Sequence, residues 1–146
     1  MGLFNANAPL RSDLNLLFQL ALLVLLIAGV ILAKLRRKVI NHGKLMSIVM
    51  VLNTVSILVV MLPSFFGFRG LFSQPFTRPA LVVGAHAVTG TLVEIVGIWI
   101  AGSWMFKSQD IKNCVKKRNL MRATFLFLIV ELFIGVYVYL MLYVPI

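Results

Sequence analysis

Cysteine, acidic residues and charge of either sign are scarce in this chain, and each scarcity excludes a class of protein. Its 146 residues include one cysteine, Cys114, so an intrachain disulfide cannot form. Charged residues make up 12% and apolar residues 61%, whereas soluble domains average about 25% and about 45–50%. Too few polar side chains remain to cover a water-exposed surface. This composition excludes a soluble fold and predicts a single transmembrane domain, 1–146.

Four long apolar stretches account for most of the chain. They cover residues 14–33, 45–66, 80–104 and 120–144, and each is close to the ~20 residues that an α-helix needs to cross the hydrocarbon core. Backbone polar groups in lipid must be paired within their own segment, so each stretch is predicted to be a helix. The sequence therefore predicts an all-α integral membrane four-helix bundle with up-down-up-down order.

The basic residues are distributed unevenly over the connections. Only Arg11, Arg69 and Arg78 lie outside the first and third connections. The positive-inside rule places those two connections in the cytoplasm and both termini outside, as in a multi-pass protein of the cell membrane. Because the basic clusters adjoin the membrane and have no fold of their own, contact with anionic lipid headgroups is favoured over nucleic-acid binding. The basic residues of these connections are Lys34, Arg36, Arg37, Lys38 and Lys44, and Lys107, Lys112, Lys116, Lys117, Arg118 and Arg122.

Three polar residues lie near the middle of the apolar stretches, where lipid excludes such groups. They are Asn53, Glu94 and Glu131. Antiparallel neighbours bring all three to a similar depth, so we expect them to converge inside the bundle. One interpretation is a proton or metal site, and the other is a protonated glutamate that joins helices through a hydrogen bond to Asn53 or to a backbone carbonyl.

Helical spacing predicts a small or polar face on three of the helices. Five small or polar residues of the third helix share one face. At 100° per residue, they fall within about 80° of one another. Small residues at this spacing let helices approach closely. The faces consist of His86, Gly90, Glu94, Gly97 and Ala101; of Thr124, Glu131, Gly135 and Tyr139; and of Asn15, Gln19, Gly29 and Ala33.

The two histidines are predicted at depths that differ by roughly 20 Å, given 1.5 Å per helical residue. His42 begins the second stretch and His86 lies in the outer third of the next, so they cannot bind one haem iron together. Met61 is expected at a depth similar to that of His86. A haem or copper site with His86 and Met61 as ligands is therefore one interpretation, and ordinary packing by methionine is the other.

Five short motifs are distributed along nearly the whole chain: Asp13-Leu14-Asn15, the segments His42–Met46 and Ala85–Gly90, and the segments Lys117–Arg122 and Gly135–Tyr143. These motifs resemble the domain-of-unknown-function 420 (YozB/CtaM-like) family of small four-helix membrane proteins. The resemblance implies an accessory or assembly role beside a haem-containing terminal oxidase, with His42 and His86 at the histidine positions of the family. Two positions differ: Asn119 stands where members usually carry another histidine, and Glu131 where they more often carry an uncharged residue.

The sequence contains no nucleophile–base pair and no phosphate-binding glycine loop, so we do not expect an enzyme. The leading hypothesis is an integral membrane accessory or assembly protein of a haem- or copper-containing oxidase. A second hypothesis is a non-catalytic structural subunit of a larger membrane metalloenzyme complex, of the respiratory or copper monooxygenase type, which binds other integral membrane subunits. A third is a small proton-coupled transporter, which requires water to reach Glu94.

Overall fold

The described part of the chain is built from helices. The computed structural model describes residues 8–74, 76–106 and 115–144. Four of its helices are long and apolar enough to cross a membrane, so the prediction of a helix in each apolar stretch is confirmed. Helix α1 covers Leu10–Lys34, α2 covers Val39–Gly67, α3 covers Arg78–Phe106 and α4 covers Arg118–Tyr143.

The helices begin and end beyond most of the predicted apolar boundaries. Helix α2 starts at Val39 rather than residue 45, and α1 starts at Leu10 rather than residue 14. The added turns contain polar and charged side chains such as Arg11, His42 and Lys44. Long basic side chains extend their charged ends toward the membrane surface, so a helix continues through the interface after its apolar stretch has ended.

A widened turn interrupts α2 at Ile57–Met61, where the helix is π-helical. The backbone N–H of Leu62 donates to the carbonyl of Ile57, five residues back rather than four. Pro63 follows and has no N–H to donate, so the regular ladder cannot continue through this turn. The wide turn accommodates the proline without ending the helix, which resumes over Leu62–Gly67.

Each helix packs against the next one along the chain, and α4 also packs against α1. The buried apolar cluster is small and consists of Leu22 and Leu26 from α1 with Val49 from α2. Large apolar side chains such as Val24 and Phe133 point outward and are 65% and 68% exposed. A surface of this kind suits a bundle surrounded by lipid.

At one end of the bundle, the end of α3 contacts both the start of α2 and the residue just before α4. Gly43 of α2 lies directly against the indole of Trp104 at the end of α3, and a Cβ at this position would overlap the ring. Lys117 donates a hydrogen bond to Ser103, and its ammonium lies 4.0 Å from the ring centre of Trp99. The start of α2, the end of α3 and the start of α4 therefore lie at the same end of the molecule.

The other end carries a cluster of aromatic and hydroxyl groups. Tyr143 at the end of α4 lies 3.3 Å, oxygen to oxygen, from Ser12 near the start of α1. Its ring centre is 6.5 Å from that of Phe68, just after α2. Arg78 at the start of α3 donates to the hydroxyl of Tyr137 at 2.8 Å. These contacts link all four helices at the end opposite the basic connections.

Candidate functional site

Glu94 of α3 is buried against α2, where two side chains hydrogen-bond to it. The Asn53 amide donates to Oε2 at 2.7 Å, and the Thr54 hydroxyl lies 2.5 Å from Oε1. Glu94 is 6% exposed. Both carboxyl oxygens are therefore paired within the bundle, and this contact joins α2 to α3 at mid-helix.

The same network continues from Asn53 into α1. The Gln19 amide donates to Asn53 Oδ1 and to Ser56 Oγ, both at 3.2 Å. Ser56 in turn donates to Asn15 Oδ1 at 2.7 Å. A continuous chain of polar side chains thus crosses from α1 through α2 to α3. Interhelical hydrogen bonds of this type stabilise membrane bundles because lipid offers no alternative partner.

Glu131 of α4 belongs to a different contact, with His86 of α3. His86 Nδ1 and Glu131 Oε2 lie 2.8 Å apart, which meets the distance of an ion pair without the alignment of a hydrogen bond. Neither atom has another hydrogen-bond partner in residues 8–74, 76–106 and 115–144. Glycines make room for the pair: a Cβ on Gly90 would lie 3.3 Å from Oε2, and one on Gly135 would lie 3.4 Å from His86 Cε1.

Each glutamate is also paired with a threonine whose hydroxyl has a second neighbour. Thr54 lies 2.8 Å from the carbonyl four residues earlier as well as beside Glu94. Thr89 lies 2.7 Å from the corresponding carbonyl and also contacts Glu131. A hydroxyl has only one hydrogen to donate. Each threonine hydroxyl is therefore shared between the carboxyl oxygen and the backbone carbonyl of its own helix.

The expected convergence of Asn53, Glu94 and Glu131 thus takes the form of two separate contacts. Asn53 and Glu94 are hydrogen-bonded to each other, whereas Glu131 contacts His86. His86 and Glu94 are eight residues apart on α3, which is about 80° around the helix. They therefore occupy opposite edges of the predicted face, so that Glu94 lies against α2 and His86 lies against α4.

A cavity of about 650 Å³ lies between the four helices and is partly open to the surface. All four helices line it, mostly with apolar side chains, and His86, Glu131 and Met61 are among the lining residues. Met61 comes from the wide turn of α2. Small-molecule sites in proteins have volumes of about 300–1,000 Å³ and a few polar groups in a largely apolar wall. The size and lining of this cavity are those of a ligand site.

The His86 imidazole has one nitrogen, Nδ1, beside Glu131, and no hydrogen bond to the other, Nε2, is found within the described residues. His86 is among the residues that line the cavity. A carboxyl group on Nδ1 fixes the orientation of the ring, an arrangement common where the other nitrogen binds a metal. Met61 supplies a thioether in the same cavity. The donor set of one imidazole and one thioether is of the type that binds haem iron or copper.

His42 is placed elsewhere and has a backbone partner. Its Nδ1 lies 2.8 Å from the carbonyl oxygen of Gly29, so the ring joins α2 to α1. Among the described residues, no group of three or more His, Cys, Asp or Glu side chains could hold a metal ion. Cys114 lies outside the described residues. Any metal in this site would therefore depend on His86 and on donors other than these.

Asp13 is a buried polar residue that sequence reasoning did not select. It is 0% exposed and accepts a hydrogen bond from the hydroxyl of Tyr139. An acidic residue directly before an apolar stretch, and a tyrosine on the small or polar face of α4, were the signals available. The two residues are 126 positions apart in the sequence, so no local pattern indicated their contact. It closes the seam between α1 and α4 at one end of the cavity.

Comparison with known protein families, with curated proteins and with solved structures finds no match for this chain.

Proposed function

We propose that the chain is a multi-pass protein of the cell membrane whose helices run up-down-up-down, with both termini outside. The interhelical contacts support this order. Gln19 in the first half of α1 contacts Ser56 late in α2, while Gly29 late in α1 contacts His42 early in α2. The contact between Lys117, just before α4, and Ser103, near the end of α3, supports an antiparallel arrangement of these two helices as well.

The charge distribution supports the proposed orientation. The end where Gly43 meets Trp104 carries the basic connections, and the positive-inside rule assigns such an end to the cytoplasm. Arg36, Arg37 and Lys38 lie in or beside a turn of four residues between α1 and α2. At this position their side chains are within reach of anionic lipid headgroups, which each basic residue favours by about 1 kcal/mol.

Within the membrane, we infer a role as an accessory or assembly protein of a haem- or copper-containing oxidase. The observation that supports it is that His86, whose Nδ1 lies 2.8 Å from Glu131 Oε2, lines a space of about 650 Å³. Met61 lines the same space and is the second candidate ligand. Bound haem or copper would supply redox chemistry, while His86 and Met61 would hold it and the apolar wall would exclude water. The similarity of the sequence motifs to the domain-of-unknown-function 420 family points to the same role.

Purified protein tests this proposal. The chain is extracted in mild detergent from its own membrane, and its absorption spectrum and copper content are measured per chain. The proposal predicts a Soret band or stoichiometric copper that His86→Ala removes and Met61→Leu alters. His42→Ala is the matched control, because this imidazole bonds to Gly29 instead of facing the cavity. A colourless, copper-free protein, or equal loss in both histidine variants, would contradict it.

A second candidate function is that of a non-catalytic structural subunit in a larger membrane metalloenzyme complex. Helix α4 favours it. Only 6% of the most apolar 18-residue segment of α4 is buried inside the bundle, compared with 17–22% of the corresponding segments of the other three helices. Phe127 and Phe133 on this helix are 60% and 68% exposed. Photo-crosslinkers at these two positions should capture large integral membrane subunits in native membranes. Crosslinkers at Leu20 on α1 and Val51 on α2 serve as controls.

A further inference from the structure

The wall of the cavity is mostly apolar, with polar side chains such as Asn15, His86 and Glu131 set into it. Most of its wall consists of Leu, Val, Ile, Met and Phe side chains from all four helices. A buried water needs two to four polar partners, and cavities with apolar walls remain dry or take up apolar molecules. The helices around it are themselves long enough to lie in lipid. A lipid-soluble molecule is therefore the occupant that this wall fits.

Polar groups on α1 face the cavity with hydrogen-bonding capacity to spare. Asn15 uses its carbonyl oxygen to accept from Ser56, and its two amide N–H groups make no hydrogen bond in the part of the chain that the structure describes. Gln19 uses its amide N–H groups on Asn53 and Ser56. Asn15 therefore presents donors to the cavity, and the natural partner of an amide donor is a carbonyl oxygen.

We propose that the cavity binds a lipid-soluble molecule whose carbonyl oxygen accepts from the Asn15 amide and whose apolar chain lies along α1 and α4. Membranes supply this chemistry in two forms, the ester carbonyl of an acyl lipid and the ring carbonyl of a quinone. The site uses the Asn15 side of the cavity. It does not depend on His86 binding a metal, so the two proposals can fail separately.

Two valines of α4 provide a matched pair of variants that tests occupancy. Val136 lines the cavity, while Val130 is 50% exposed on the outer surface. Val136→Trp fills the cavity and should reduce bound ligand at least tenfold, whereas Val130→Trp should leave it unchanged. Ligand is measured by mass spectrometry of the intact detergent-solubilised protein, together with circular dichroism to show that each variant is folded. Equal binding by both variants would overturn the proposal.

The carbonyl contact is tested with a matched pair of lipids. The protein is reconstituted with ester-linked or ether-linked phospholipids of the same chain length, and separately with a short-chain benzoquinone. Asn15→Leu should weaken binding of the ester lipid or of the quinone about three- to tenfold, the effect of one hydrogen bond. The ether lipid should bind the two proteins equally.

The ligand that loses affinity identifies the source of the carbonyl. Haem and copper are measured on the same samples, so that loss of this ligand in Asn15→Leu at unchanged haem and copper content separates the result from the metal proposal. The inference is wrong if Asn15→Leu weakens binding of neither the ester lipid nor the quinone.

Discussion

The contact between Asn53 and Glu94 allows a quantitative test of the polar network. Replacing Asn53 with leucine removes the 2.7 Å hydrogen bond to Oε2 and leaves Thr54 hydrogen-bonded to the carboxyl group. We expect a loss of about 1–2 kcal/mol, because a buried polar atom then lacks a partner. In a double-mutant cycle with Glu94→Leu, the coupling energy should be about 0.6–1.7 kcal/mol, the range of hydrogen bonds between membrane helices.

The assay is equilibrium unfolding in mixed micelles, followed by circular dichroism while the fraction of denaturing detergent is raised. A cycle between Asn53→Leu and Glu131→Leu is the control, because Glu131 pairs with His86 rather than with Asn53. Sites without shared partners couple by less than about 0.5 kcal/mol. Coupling of Asn53 to Glu131 as strong as its coupling to Glu94 would refute two separate contacts.

Three further predictions concern packing and orientation. Gly43→Ala should destabilise the protein by about 1–3 kcal/mol in the same unfolding assay, because its Cβ would overlap the rigid Trp104 indole, whereas Gly84→Ala has room and should be neutral or stabilising. Leu22→Ala in the buried cluster should lower the free energy of unfolding by about 1–3 kcal/mol. This is less than in soluble proteins, because the unfolded chain also lies in an apolar medium. The same change at Leu20, which is 42% exposed, should lower it by less than about 0.5 kcal/mol. In a cysteine-free background, Ser73→Cys should react with an impermeant maleimide added outside intact cells. If this cysteine is protected from the reagent, the orientation is the reverse of the one proposed.

The positions of the helices could be predicted from the sequence because lipid imposes one strong constraint. Every backbone group in the hydrocarbon must be paired, so an apolar stretch of sufficient length has one stable conformation. Composition then locates the four helices. It does not locate their ends, because residues such as His42 and Lys44 continue α2 in the interface. It also gives no reason to expect the π-helical turn, although Pro63 signals some irregularity there.

The partners within the site could not be predicted to the same extent. Helical spacing places His86 and Glu94 on one broad face, but only the packing angles of the neighbouring helices decide which edge meets α2 and which meets α4. Asp13 and Tyr139 pair across almost the full length of the chain, beyond the reach of any local pattern. The space for the contact between His86 and Glu131 depends on the absence of a side chain at Gly90 and Gly135.

The central claim is that the bundle holds two separate acidic contacts, and that one of them orients His86 toward the cavity. Nitrogen NMR of ¹⁵N-histidine-labelled protein tests it most directly, with the His86 signals assigned through His86→Gln. The account predicts that Glu131→Gln shifts the Nδ1 resonance of His86, which is 2.8 Å from Oε2, and that Glu94→Gln leaves it unchanged. A His86 resonance that responds to Glu94→Gln and ignores Glu131→Gln would contradict the account.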